Sequence, residues 1–236
     1  RFSKPVFMLA ELAGIEVSEN YQLILAGREL ARELTAPPAV MRDGEILIRT
    51  ESVSRMIWDL LEEWRWHKPD NAMAELVRYY DFESQPLQAL QRASEEQREV
   101  LILHEIGELI AGSQIADNWD EMLSKADRHL QMFARAVRDS LADCLSTLPA
   151  LLSQYNIAGI HFYFASLTPM RKAMFPQLDA GYRQWRRAKK LDGIQDAVLR
   201  GQDHWQRTAM QLSDNFSSDE SGADRKLQAY IEQYAL

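Results

Sequence analysis

Cysteine, glycine and proline are scarce in this chain of 236 residues, and each scarcity excludes a class of protein. The single cysteine, Cys144, excludes an internal disulfide and any zinc or redox site built from paired cysteines. Ten glycines and eight prolines are too few for a collagen-like, linker-rich or broadly disordered chain. The glycine-rich phosphate loop, the dinucleotide fingerprint and the Gly-x-Ser-x-Gly elbow are absent, so we expect no nucleotide cofactor.

Excess positive charge and long apolar runs are missing as well. The 27 Lys and Arg residues are outnumbered by 35 Asp and Glu residues, which gives a formal charge of −8. General nucleic-acid binding is not expected, because neutralising phosphates requires a basic face. No uninterrupted apolar run reaches about 18 residues, so the sequence predicts no membrane span. The scarcity of cysteine fits a reducing compartment, and we expect a cytoplasmic protein.

The apolar residues recur mostly at helical spacing, and the sequence therefore predicts an all-α fold. We expect a single-domain bundle of about eight or nine helices with short loops, covering residues 1–213. Residues 214–236 are expected to form a polar loop and a C-terminal helix, packed on the same domain or on a partner.

Capping residues and breakers place the predicted helix boundaries. Residues 46–50 are the one short strand candidate, and residues 155–167 fit either a helix or a buried strand. The main predicted helices are 19–34 after Ser18, 53–67, 94–112 opened by a Ser94–Gln97 capping box, 117–149 after Asp117, 169–191 after Thr168 with a possible kink at Pro176, and a helix beginning at Asp192.

The segment VLILHEIGELIAG, residues 100–112, carries the main functional hypothesis. Apolar side chains surround this helix on every side, which is typical of a buried helix. At 100° per residue, Glu108 lies about 40° and Glu105 about 100° around the helix from His104, so the three side chains converge on one side. A buried carboxylate is costly unless a cation, a proton or a metal compensates its charge. We therefore treat these three residues as a candidate metal or catalytic site.

The order His-Glu-x-x-Glu invites comparison with two kinds of metal helix. In the His-Glu-x-x-His helix of zinc peptidases, the two histidines bind zinc and the glutamate activates water. Here Glu108 stands where the second histidine would be. Carboxylate-bridged di-metal bundles use the same donor types in Glu-x-x-His pairs. The likeness covers five residues and assigns no family, but mixed imidazole and carboxylate ligands suit a divalent metal such as iron, zinc or manganese.

Such a site needs ligands from other helices, and the same periodicity supplies four candidates. Glu63 and His67 form an i,i+4 pair on the 53–67 helix. Asp127 falls on the apolar seam of the 117–149 helix. His161 lies on an apolar face if residues 157–167 are helical.

Each of these features also has a purely structural explanation. A buried polar network would pair the histidine and acids with arginines such as Arg55, Arg78, Arg135 or Arg138. The basic stretch 183–190 suits the solvated face of a helix, with an anion, RNA or acidic-partner site as the alternative. Aromatic residues around Trp58, Trp64 and Trp66 are typical of a core or an oligomer interface, and a homo-oligomer is compatible with the sequence.

Two functional hypotheses follow. In the first, the chain is a metal-binding helical bundle, as in a non-haem iron or zinc enzyme. His104 and Glu108 would be ligands and Glu105 a bridging ligand or general base. Zinc would support hydrolysis of a small-molecule substrate, and two irons would support oxidation. In the second, the chain is a non-enzymatic interaction protein that binds a protein partner. A buried network then predicts an arginine or tyrosine in contact with Glu105 and Glu108.

Overall fold

The computed structural model describes residues 7–19, 21–32, 37–42, 44–217 and 227–236. A four-stranded sheet comes first in the chain, formed by β1 (Met8–Val17), β2 (Gln22–Arg32), β3 (Ala39–Arg42) and β4 (Glu45–Arg49). The strand order is β1-β2-β4-β3. The β1/β2 and β3/β4 pairs are antiparallel and the β2/β4 pair is parallel, so the sheet is mixed.

This sheet corrects the predicted fold class, because the chain has an α+β fold rather than an all-α fold. The predicted helix 19–34 is instead largely strand β2, while the strand candidate at 46–50 is confirmed as β4. The run Leu23-Ile24-Leu25-Ala26 is continuously apolar, and such a run fits a helix and a buried strand equally well. Pairing of Leu23 with Ile46 and of Leu25 with Ile48 decides for the strand.

Helices make up the rest of the described chain. In chain order they are α1 (Thr50–His67), α2 (Ala72–Tyr80), α3 (Pro86–Gln114), α4 (Trp119–Lys125), α5 (Arg128–Ala142), the π-helical segment Asp143–Thr147, α6 (Leu148–Ser153), α7 (Ile157–Ser166), α8 (Pro169–Met174), α9 (Pro176–Ala188), α10 (Asp192–Ser217) and α11 (Leu227–Tyr234). None of the described helices is both long enough and apolar enough to cross a membrane.

Local chemistry explains several of these boundaries. The Thr168 hydroxyl accepts a hydrogen bond from the Arg171 amide and Pro169 opens α8, which confirms the predicted start. Helix α1 ends where Lys68 adopts a left-handed conformation with φ of 43°, directly before Pro69. The ambiguous segment at 155–167 contains the helix α7, in which residues 158–164 are buried.

The predicted 169–191 helix is interrupted at Phe175, between α8 and α9, and two other predicted boundaries are wrong. Helix α3 begins at Pro86, so Ser94 lies inside it and its hydroxyl donates to the Leu90 carbonyl at 2.7 Å. The predicted 117–149 helix is interrupted, because Asp127 caps a new helix, α5. In both places a polar side chain capable of capping occurs at more than one position, and sequence spacing alone does not choose between them.

The chain divides into two compact units: Arg1–Glu105 with Ile157–Ser166, and Ile106–Asn156 with Leu167–Leu236. In the first, helix α1 covers β2 and β4, and Ile46, Ile48 and Val53 are completely buried. In the second, α10 packs against α5 and α9, and Phe133 of α5 and Trp205 of α10 are completely buried.

The region of the predicted C-terminal boundary is described only in part. Helix α10 continues past residue 213 to Ser217, so residues 214–217 are helical. The remainder of the predicted polar loop, residues 218–222, lies outside the described residues. Helix α11 packs against α5, where Tyr230 stacks on Phe133 with ring centroids 5.4 Å apart. The domain boundary after residue 213 stays a prediction.

Candidate metal site

The HEIGE turn lies near the C-terminal end of α3, which is one continuous helix from Pro86 to Gln114. The sequence predicts full burial here, but between residues 101 and 110 only Gly107 is fully buried. His104, Glu105 and Glu108 are half-buried, and Leu109 is 46% exposed. Solvent therefore reaches the polar side chains of this turn, which lowers the cost of keeping them charged.

Gly107 explains why a second helix comes so close to this turn. A side chain at Gly107 would place its Cβ atom 2.8 Å from the Ala142 carbonyl carbon, closer than Cβ atoms in proteins come to backbone atoms. Helix α3 therefore crosses α5 in direct backbone contact at this glycine. The crossing places Glu108 beside the turn of α5 that precedes Ala142, which contains Arg138 and Asp139.

One group of converging ligand atoms results from this crossing. His104, Glu108 and Asp139 each offer one such atom, and these atoms all lie within 4.8 Å of one another. Glu108 and Asp139 belong to the second unit, and His104 precedes Glu108 by one turn of the unbroken helix α3. All three side chains are half-buried. Among the described residues, no other group of three His, Cys, Asp or Glu side chains converges in this way.

Arg138 also contacts this cluster. Its Nε atom lies 2.8 Å from Oε2 of Glu108, and its Nη2 atom donates to the Glu108 backbone carbonyl at 3.5 Å. Side-chain exposure is 29% for Arg138 and 20% for Glu108, so water screens this ion pair only in part. The buried-network hypothesis predicts such an arginine contact at Glu108. Arg138 thus compensates one carboxylate of the cluster without any metal.

The other predicted ligands lie elsewhere, and none of them joins a group of three converging ligand atoms in the described part of the chain. His67 is exposed at the end of α1, and Glu63 lines a cleft beside the same helix. His161 is buried in α7, with 4% of its surface exposed. Glu105 is half-buried on α3 and is not a member of the cluster.

Asp127 has a different role from the predicted one. Its Oδ1 atom accepts hydrogen bonds from the backbone amides of His129 at 2.6 Å and Leu130 at 3.0 Å. It therefore caps the N-terminus of α5 instead of lying on an apolar seam.

Asp139 is the member of the cluster that the sequence did not indicate. It lies in the last turn of α5 and resembles any half-exposed acid on an amphipathic helix. Asp139 joins the cluster because α3 crosses α5 at Gly107. The glycine directly before Glu108 is the one local sequence feature that indicates a close helix contact.

A buried ion pair follows α5 directly. The Asp143 carboxylate accepts from the Arg171 guanidinium at 2.5 Å and from the Thr147 hydroxyl at 2.9 Å, within the π-helical segment. Burial raises the pKa of the neighbouring Cys144 thiol, and the Asp143 charge adds to this effect. The thiol is therefore held protonated, which argues against a catalytic thiolate.

The chain is thus an α+β protein with a mixed N-terminal sheet, a longer helical region after it and a His-Glu-Asp cluster where two helices cross. The chain belongs to the family of unknown function DUF6866. The model of the family's N-terminal domain matches residues 1–49, and the model of its C-terminal domain matches residues 54–234. The first range ends with the last strand, β4. No curated protein and no solved structure matches the chain.

Proposed function

We propose that this protein binds a divalent metal ion through His104, Glu108 and Asp139. The observation that supports the proposal is the convergence of one imidazole and two carboxylate ligand atoms within 4.8 Å of one another. Imidazole and carboxylate together suit iron, zinc or manganese, and the excess of carboxylate favours iron or manganese. The carboxylate of Glu108 that faces Arg138 through Oε2 would offer its second oxygen to the metal.

Three protein ligands leave coordination positions for water or a substrate, which is the arrangement of catalytic rather than closed structural sites. A metal held here would supply an activated water for hydrolysis or an open site for oxidation. Half-burial of the three side chains supports access for a small molecule. Glu105, on the same turn, stays our prediction for a general base.

Metal titration of the full chain tests the proposal. Calorimetric titrations with Mn²⁺, Zn²⁺ and, without oxygen, Fe²⁺ should show about one ion per chain for at least one metal. Replacing an outer-shell partner typically weakens metal binding 10–100-fold, so loss of a direct ligand in His104→Ala or Asp139→Asn should cost more than about 100-fold. His129→Ala is the matched control, because His129 is exposed and lies in the first turn of α5. Equal affinity in His104→Ala and His129→Ala would contradict the proposal.

The Arg138–Glu108 pair favours a second candidate, a metal-free polar network in an interaction protein. Arg138→Gln separates the two. A metal site keeps its ion in this variant, and binding strengthens because a competing cation has been removed from Glu108. A metal-free network instead predicts no ion in either protein and a loss of stability on removal of the arginine.

A further inference from the structure

A second candidate site lies in the first unit and shares no residue with the metal cluster. A cavity of about 410 Å³ opens between one face of α1, the end of β2 and Pro38. We call it the α1 cleft, and the described residues that line it are Arg32, Pro38, Ser52, Arg55, Met56, Asp59, Leu60 and Glu63. The six lining residues from α1 share an arc of about 140° around the helix. The volume lies within the range of roughly 300–1,000 Å³ typical of small-ligand sites.

A buried charge network fixes one wall of the α1 cleft. The Ser52 hydroxyl donates to Oε1 of Glu29 at 2.7 Å, and only 2% of the Glu29 side chain is exposed. The Nε atom of Arg32 lies 3.5 Å from Oε2 of Glu29. Glu29 therefore holds one edge of the Arg32 guanidinium, and the terminal nitrogens of Arg32 remain for an anion in the cleft.

Three charged residues of α1 that line the cleft have no charged partner among the described residues. Within the described part of the chain, Arg55, Asp59 and Glu63 take part in no hydrogen bond or ion pair. Arg55 and Asp59 are one turn apart, yet they form no ion pair in the described residues. Asp59 follows Arg55 by about 6 Å along the helix axis and Glu63 follows it by about 12 Å. The cleft is thus positive at its Arg32–Arg55 end and negative at its Asp59–Glu63 end.

We propose that the α1 cleft binds a zwitterionic peptide of two or three residues. Its carboxylate pairs with Arg32 and Arg55, and its terminal ammonium pairs with Asp59 and Glu63. Two or three extended residues span roughly 7–10 Å, which matches the spacing of these charges along α1. Met56 and Leu60 lie on the same face and offer apolar contact to aliphatic side chains. A ligand with one charge leaves one end of the cleft unpaired.

Three related peptides test the proposal by calorimetric titration of the full chain at low ionic strength. Leucyl-leucine carries both charges, N-acetyl-leucyl-leucine only the carboxylate, and leucyl-leucinamide only the ammonium. We expect leucyl-leucine to bind and each blocked peptide to bind at least about tenfold more weakly. Arg55→Gln should weaken leucyl-leucine to the same extent without further weakening the amide. Glu63→Gln should likewise weaken the binding of leucyl-leucine, without further weakening the binding of the acetylated peptide.

The neighbouring ion pair of α1 offers matched controls. Arg65 and Glu62 lie 2.6 Å apart on the same helix and do not line the cleft. Arg65→Gln and Glu62→Gln should therefore leave the affinity for leucyl-leucine unchanged. The proposal is overturned if leucyl-leucine does not bind at millimolar concentration, if the three peptides bind equally, or if the control variants lose as much affinity as Arg55→Gln and Glu63→Gln. None of these outcomes depends on the metal cluster.

Discussion

At the scale of single residues, Tyr80 is a buried side chain whose hydroxyl both donates and accepts a hydrogen bond. It is 3% exposed, its hydroxyl donates to Glu96 at 2.8 Å, and it accepts from the Gln97 amide at 2.6 Å. Gln97 is itself 1% exposed, so water cannot readily replace Tyr80 as the acceptor for its side-chain amide. Burial first, and then the bond to Glu96, raise the pKa of Tyr80 above its ordinary value.

Tyr80→Phe should lower the free energy of unfolding by about 1–3 kcal/mol, because it removes the acceptor of a buried amide. Urea unfolding near pH 8 measures this, with Tyr79→Phe as the control since Tyr79 is 50% exposed. Equal effects of the two substitutions would contradict the assigned role.

The raised pKa adds a pH dependence of known sign. Above about pH 10 an unfolded tyrosine releases its proton, while folded Tyr80 retains it. The unfolded state then binds fewer protons than the folded state, so stability falls as the pH rises. Between pH 8 and 11, the wild-type chain should therefore lose stability more steeply than Tyr80→Phe. Parallel pH profiles would show that Tyr80 does not contribute to this slope.

Asp127 shows how a single residue changes role with its backbone setting. Asp127→Ala should cost about 1 kcal/mol of unfolding free energy, because two amides at the start of α5 lose their acceptor. Asp127→Asn should keep most of that stability, since asparagine caps helices equally well. Both variants should retain the metal content of the parent chain by mass spectrometry. Loss of metal from both would restore Asp127 as a ligand.

At the scale of elements, the crossing of α3 and α5 is the contact that builds the metal cluster. It depends on Gly107, which has no room for a side chain against Ala142, whereas a Cβ atom at Gly112 would meet the Arg138 side chain at 3.8 Å, an ordinary van der Waals contact. The two glycines therefore separate the effect of helix packing from the effect of helix propensity.

Gly107→Ala should destabilise the protein by about 1–3 kcal/mol, because the added methyl group forces the two backbones apart. Gly112→Ala should be neutral or stabilising by up to about 1 kcal/mol, since alanine is the better helix former. Chemical unfolding compares the two. Metal affinity should also fall in Gly107→Ala only, and equal results for both glycines would contradict the close crossing.

The local sequence pattern predicts helix α1 but not strand β2. Val53, Ile57 and Leu61 recur at helical spacing and α1 was predictable from them. The apolar run of β2 has no such distinguishing period, and its strand state depends on β4, about 20 residues later in the chain. Non-local pairing of this kind is not encoded in a short window of sequence.

At the scale of the whole molecule, metal binding should be visible as stability. An ion that binds only the folded state adds about 2.7 kcal/mol when present at 100 times its dissociation constant. For a chain of this size that corresponds to a rise in Tm of roughly 5–10 °C. Differential scanning calorimetry should show the rise in the wild-type chain and in His129→Ala, but not in His104→Ala. The same rise in His104→Ala would place the ion elsewhere.

The sequence by itself determined the features that depend on neighbours along the chain. His104 and Glu108 share a face because four residues make about one helical turn, and Thr168 with Pro169 begins a helix because capping is local. Only the tertiary structure decided that β2 is a strand, that Asp139 and Arg138 meet Glu108, and that Arg32 faces the charged side of α1. Those contacts join residues more than one element apart in the chain, and their free energy comes from packing and pairing that no local spacing specifies.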